Sequence, residues 1–314
     1  AVQNWQRYAS PAVDALIDRL RTEADTEKRF ALAREIQEKV MADTALANAL
    51  KSKPAPLYDK KFTSRIQTGN FEDDMARIKD CDWVIEVVVE RLDIKKQIFE
   101  QVDRLRKPGS IVSSNTSGIP IHLMLEGRSD DFRRHFLGTH FFNPPRYMRL
   151  LEIIPTPDTD PAIVDFLMHY GDVQLGKQTV LCKDTPAFIA NRVGVYAMAK
   201  IYQLTTELGL SIDEVDKLTG PAIGRPKTGT FRLGDLVGHD TAAKVIMGLK
   251  QNCPNDEQAA TFEIPKYLQF LLDNNFLGNK SGQGFYKKTR EKDANGKDII
   301  LALNLDSLEY QPTQ

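Results

Sequence analysis

The segment His140-Phe-Phe-Asn-Pro-Pro145 stands between Ser113-Ser-Asn-Thr-Ser117 and Glu152. Together these stretches supply a base, an orienting carboxylate and hydroxyl donors, the parts of an alcohol-oxidising site. As hydride leaves a carbinol carbon, some group must accept the hydroxyl proton. An imidazole, whose pKa lies near neutrality, can do so and give the proton back in the reverse direction. His140 is the candidate base. A carboxylate beside it would fix its tautomer and offset the imidazolium charge, and Glu152 is the candidate for that role. Ser117 and Asn191 are the candidate hydrogen-bond partners of the substrate oxygen. A second feature is an absence: no glycine precedes Gly69, so no Gly-x-Gly-x-x-Gly turn opens the chain to cradle a pyrophosphate.

Each of these residues also has a plain structural use. A histidine at a strand end is often a satisfied core or surface residue, and Glu152 is equally placed to pair with Arg149 or Arg146. Asn115 and Ser117 lie in good turn material ahead of Pro120. Asn191 suits a helix cap, and Lys95, Lys96 and Lys280 suit a solvated surface.

The elements that would hold the site read as alternating strands and helices from Thr44 onward. Trp83-Val-Ile-Glu-Val-Val-Val89 is nearly all apolar and β-branched, as expected of a parallel strand buried on both faces. A helix is expected over 92–106, with Ile94, Ile98, Val102 and Leu105 on its buried face, closed by Lys107-Pro-Gly109. Further strands are expected over 109–114, 136–142, 150–154 and 179–181. The fold class is therefore α/β, a doubly wound sheet whose strand ends would carry Glu90, Asn115 with Ser117, and His140 with Asn143 into one crevice. Beyond Asp184-Thr-Pro186 the pattern becomes mainly helical. After Lys287 it is polar and aperiodic.

Before Thr44 the text differs. Residues 1–43 read as two amphipathic helices, one opening at Ser10-Pro11 with Val13, Leu16, Ile17 and Leu20 on a face, the other starting at Thr26 with Leu32, Ile36 and Val40. The words Asn4-Trp-Gln-Arg-Tyr-Ala-Ser-Pro11, Val13-Asp-Ala-Leu16 and Arg34-Glu-Ile-Gln37 resemble the C-terminal part of bacterial peptide-type solute-binding proteins.

Composition excludes several classes. With 42 basic and 43 acidic residues the net charge is −1, so no sequence-wide field draws the chain to nucleic acid or an anionic membrane, and neither is expected as a partner. Cys81, Cys182 and Cys253 form no Cys-x-x-Cys pair, which argues against a disulfide framework and a structural metal site. Without signal-peptide character or a long apolar run, the expected location is the cytoplasm.

From about Thr44 to Tyr286 the chain resembles the 3-hydroxyacyl-CoA dehydrogenases of fatty-acid β-oxidation. The words that carry the resemblance are Val87-Val-Val-Glu90, Ser114-Asn-Thr-Ser117, His140-Phe-Phe-Asn-Pro144, Cys182-Lys-Asp-Thr-Pro186 and Ser281-Gly-Gln-Gly-Phe-Tyr286, in order. The resemblance implies NAD as cofactor and an L-3-hydroxyacyl-CoA as substrate. It implies His140 and Glu152 as the catalytic pair and Ser117 and Asn191 at the substrate oxygen. Glu90, Lys95, Asn143, Lys280 and Ser117 would meet the dinucleotide, and Lys51 and Lys53 the CoA phosphates. It further implies a helical domain that covers the acyl chain and offers a homodimer surface, in a parent chain that continues into an enoyl-CoA hydratase.

The expected organisation is thus a foreign helical segment over 1–43, an incomplete, partial Rossmann-like dinucleotide-binding domain over 44–185, a helical substrate and dimerisation domain over 186–290, and a tail or cut linker over 291–314. With the glycine turn missing, dehydrogenase activity is expected to be impaired. The rival readings are a non-functional chimeric fragment joined near Asp43, and a remnant solute-binding module.

Overall fold

The computed structural model describes residues 11–25, 27–28, 46, 50–293, 296 and 298–313. Helix α1 spans Pro11–Thr22 with its proline at the first position, where a missing N–H costs nothing; Leu16 is buried. The expected stripe of Leu32, Ile36 and Val40, and the boundary at Thr44, lie outside the described residues.

The chain divides into two compact units. The first contains residues up to Asn115 and Met124–Leu181; the second contains Thr116–Leu123 and Cys182 onward. A division by sequence alone places one boundary near residue 186. The short passage of Thr116–Leu123 into the second unit is an additional crossing. It is held there by Asp184, whose carboxylate accepts the N–H groups of Ile121 and His122 at 2.7 and 2.9 Å.

The first unit is an α/β sheet of the Rossmann-like kind. Strands β1 (Trp83–Glu86), β2 (Ile111–Ser114) and β3 (Phe136–Phe141) run parallel, β4 (Leu150–Pro155) runs antiparallel to β3, and β5 (Gln178–Leu181) runs parallel to β4. The doubly wound, Rossmann-like expectation is thus met, with β4 as an antiparallel member of the sheet. Only the short loop 142–149 separates β3 from β4, too little chain for a crossover.

Side chains alternate across β3, so Phe136 and Leu137 face opposite layers. Phe136 packs edge-on to Phe99 at 5.0 Å and stacks with Phe132 at 5.2 Å. Leu137 joins Leu151, Ile153 and Leu167, the last from α4 (Pro161–Val173). On the first of these layers lies α2 (Leu92–Leu105), followed by the single-turn α3 (Asp130–Arg134).

Two expectations fail here, the first because β1 stands at the sheet edge among the described residues. Ile85 is 41% and Val87 68% exposed, so the strand is not buried on both faces, and it ends at Glu86 rather than Val89. In α2 the deepest face is Lys95, Phe99 and Val102, with Ile94, Ile98 and Leu105 only half-buried.

The second unit is helical. It contains α5 (Ala190–Glu207), α6 (Ile212–Leu218), α7 (Phe231–Val237), α8 (His239–Asn252) and α9 (Lys266–Asp273) around a core with Tyr202, Phe231, Leu268 and Phe285. The region expected to be a tail is instead a three-stranded antiparallel sheet, β6 (Tyr286–Lys292), β7 (Asp298–Leu303) and β8 (Tyr310–Pro312). Its apolar members Ala302 and Leu303 are buried in the helical core. Asp235 anchors the start of this sheet: its carboxylate accepts the N–H of Phe285 at 2.7 Å, the N–H of Tyr286 at 2.9 Å and the His239 Nε2–H at 2.8 Å.

Candidate active site

Because β1, β2 and β3 are parallel, their carboxyl ends open on the same edge of the sheet, and Glu86, Ser114 and Gly138 sit in register there. In open α/β sheets this edge is where ligands bind. Asn115 continues β2, and its side-chain oxygen accepts the Phe141 N–H at 2.9 Å, pinning β3 where His140 projects. Its role is therefore structural, one of the two open from the residues alone.

His140 and Glu152 are directly opposed residues of the antiparallel β3–β4 ladder. The His140 side chain is 5% exposed and that of Glu152 1%. Nδ1 lies 2.7 Å from Glu152 Oε2, and the ring packs 4.4 Å from that of Phe142. With the proton on Nδ1 donated to the carboxylate, Nε2 carries the lone pair that can accept a proton. Arg146 is engaged elsewhere, donating to the carbonyls of Ala55 and Leu57, each at 2.9 Å.

Glu90 lies just past β1 with its side chain 45% exposed. Lys95 is not at the surface: it is 1% exposed, its ammonium held by both oxygens of Glu86 at 2.8 and 3.0 Å and by Glu90 at 3.3 Å. Glu86 was missed from sequence. The available signal was a carboxylate inside an otherwise apolar strand, nine residues before a lysine on the adjoining helix. Asn143 is exposed in the β3–β4 loop, and Lys51 and Lys53 are exposed ahead of it in the same unit.

In the second unit, Asn191 on α5 donates to the backbone carbonyl of Ser117 at 3.3 Å, so these two candidates meet. Lys280 makes an ion pair with Asp240. The hydrogen bond from the lysine holds the Asp240 carboxyl below its usual value, outweighing the opposing effect of burial.

A mostly parallel sheet with a buried imidazole–carboxylate pair and a charged cluster at its strand ends defines a dinucleotide-dependent dehydrogenase fold. The match to known families is specific: the 3-hydroxyacyl-CoA dehydrogenase NAD binding domain over residues 24–185 and the C-terminal domain of the same family over 188–288. The chain belongs to the 3-hydroxyacyl-CoA dehydrogenase family. The first match begins at residue 24, inside the opening stretch that sequence reading set apart.

A probable 3-hydroxyacyl-CoA dehydrogenase of Bacillus subtilis is 51% identical over 267 residues, which are 85% of this chain and 33% of that protein. The chain thus spans a third of that relative's length. A probable 3-hydroxyacyl-CoA dehydrogenase of Deinococcus radiodurans is 44% identical over 81% of this chain and 72% of its own. Among solved structures, FadB2 of M. tuberculosis superposes with a TM-score of 0.66 at 27% identity, covering 85% of this chain and 89% of that one.

The residues present fit NAD, the cofactor of the domain matched over residues 24–185. The half-exposed Glu90 beside the buried ammonium of Lys95 is suited to ribose hydroxyls.

Proposed function

We propose that this chain catalyses oxidation of an L-3-hydroxyacyl-CoA to the 3-ketoacyl-CoA, a step of fatty-acid β-oxidation. The observation that carries the reading is the buried His140–Glu152 pair at the carboxyl end of the sheet. The substrate O–H bond breaks toward His140 Nε2 as the carbon–oxygen double bond forms. NAD, when bound, takes the hydride that leaves the same carbon. Glu152 accepts the Nδ1–H throughout, so the imidazolium forms against a fixed negative charge in a site shielded from water. Ser117 and Asn191 are assigned to the substrate oxygen, Asn143 and Lys280 to the dinucleotide, and Lys51 and Lys53 to the CoA phosphates, following the family resemblance.

The same reading includes weak hold on NAD by this polypeptide, since no glycine turn precedes Gly69. Homodimerisation through the helical unit is supported by exposed Leu236, Val237 and Met247 on α7 and α8. Fusion to a further enzyme, read as a hydratase, is supported by the length of the Bacillus relative and by a putative fatty acid oxidation complex trifunctional enzyme of Rickettsia felis, 36% identical over 86% of this chain. A reducing cytoplasmic setting is supported by the three cysteines, all thiols. Among the described residues no helix is long and apolar enough to cross a membrane.

The test is NADH formation from a 3-hydroxyacyl-CoA by the purified chain beside His140→Gln. Loss of about 10²–10⁴-fold in kcat is expected; equal rates in both proteins would remove His140 from the mechanism. Calorimetric titration with NAD addresses the cofactor separately, and tight binding would overturn the weak-hold proposal.

A further inference from the structure

Glu86 is a densely engaged carboxylate among the described residues of the first unit. Besides the two contacts with Lys95 it accepts the Ser114 hydroxyl at 2.5 Å and the Val88 N–H at 2.6 Å. Its side chain and that of Lys95 are each 1% exposed. Burying such a pair gains little stability, because desolvating two charges offsets most of their attraction, and an apolar pair of similar size often does as well. Its place in the fold is informative. Glu86 ends β1, Ser114 ends β2 beside it, and Lys95 comes from the first turn of α2, so the network ties together the elements that frame the strand-end crevice.

The third member, Glu90, differs from the other two. It shares the Lys95 ammonium at 3.3 Å but keeps nearly half its side chain in solvent, so it is the member of the cluster a ligand can reach. One ammonium therefore serves two carboxylates. Glu86 takes the shorter, two-oxygen share, and the weaker share orients Glu90 without drawing it inward.

We propose that Glu86 is a positioning residue for the cofactor: by holding Lys95 from below, it sets Glu90 at the strand end to accept hydroxyl groups from a ribose of the dinucleotide. The inference rests on the NAD-dependent reading above. It assigns Lys95 the same indirect role, since the lysine's ammonium is enclosed by carboxylates. Removing the charge of Glu86 would leave the ammonium to Glu90 alone and pull that carboxylate away from the ligand.

The experiment is titration of the full chain with NADH, followed by its fluorescence, and separately with a 3-hydroxyacyl-CoA, for the unmodified protein, Glu86→Gln, Glu86→Asp and the paired replacement Glu86→Leu/Lys95→Met. Thermal unfolding is recorded for each. Glu86→Gln is expected to bind NADH about tenfold more weakly, the scale of one charge-assisted contact. Its affinity for the acyl-CoA is expected to stay within about twofold. Glu86→Asp, which keeps the charge, is expected to recover most of the loss. The paired replacement leaves no buried charge and keeps the test open if Glu86→Gln unfolds. It should fold and still bind NADH weakly, because Glu90 has lost its orienting ammonium.

NADH binding unchanged in Glu86→Gln or in the folded paired replacement overturns the inference alone. Equal loss of both ligands in step with a lowered melting temperature also overturns it, in favour of a purely structural role. Absence of NADH binding by the unmodified chain overturns the cofactor reading and this inference together.

Discussion

Glu152 meets His140 across a single rung of the β3–β4 ladder, so strand register rather than a flexible loop sets the 2.7 Å contact. A slip of one residue would turn one of the two side chains to the other face. Glu152→Gln preserves size and hydrogen-bonding capacity but removes the charge that favours the imidazolium. The expected outcome is a kcat lowered by about 10²-fold or more with the melting temperature little changed, checked by initial-rate kinetics and thermal unfolding together. A variant with full turnover would mean the carboxylate only completes the core.

Gly284 should tolerate no side chain. A Cβ there would lie 2.1 Å from Asp235 Oδ1 and 2.7 Å from the Gly278 Cα, both within the anchor that holds the start of β6. Gly284→Ala is expected to cost about 1–3 kcal/mol, read from denaturant unfolding. The same substitution at Gly282, where nothing lies within 4 Å but φ is +78°, should cost less.

Tyr286 donates its hydroxyl to Asp216 at 2.7 Å, beside the N–H groups of Phe231 and Arg232 that the same carboxylate accepts. Burial pushes the Asp216 carboxyl up, and the hydrogen bond from Tyr286 is the largest effect working against that. Tyr286→Phe is therefore expected to lose about 1–2 kcal/mol at neutral pH and to raise the Asp216 pKa further. Unfolding curves and the titration of Asp216 by NMR would check both.

Asp131 gives a pH dependence. Partial burial pushes its carboxyl up, but the Gly109 N–H and the Arg106 guanidinium outweigh this and hold it below the usual value of 3.8. A depressed acid contributes stability above its unfolded pKa and loses that contribution as pH falls through the folded one. Asp131→Asn should thus be less stable than the unmodified protein at pH 7, by about 1 kcal/mol at most because the carboxylate is partly solvated and screened. The gap should narrow as pH falls below 3.8 and close as it passes through the lower folded pKa. A gap that stayed constant down to that range would assign the effect to the lost hydrogen-bond geometry instead of the charge.

The parts of this fold that could be read in advance are those whose local pattern coincides with their packing. The strands at Trp83, Ile111, Phe136, Leu150 and Gln178 follow β-branched and apolar runs, and α2 follows its helical spacing. Lys95 was harder because its type says surface while its position on α2 faces inward, where the carboxylates of Glu86 and Glu90 make that burial tolerable. Glu152 had three plausible partners in sequence. The antiparallel turn at 142–149 singles out His140, and that turn is legible only once the loop is recognised as too short for a crossover. The sheet after Tyr286 was not foreseen because β6, Tyr-Lys-Lys-Thr-Arg-Glu-Lys292, is almost wholly polar. Its place is specified by the ladder with β7 and by the core contacts of Ala302 and Leu303.

Thr116–Leu123 belongs to the second unit although β3, β4 and β5 of the first are still to come. During synthesis from the amino end, this octapeptide waits some sixty residues for Asp184, its partner in sequence separations of 62 and 63. Closing so large a loop is entropically slow. The two units are therefore interleaved along the ribosome's product. A protein cut after Leu181 would carry a splice of foreign chain with nothing to dock against.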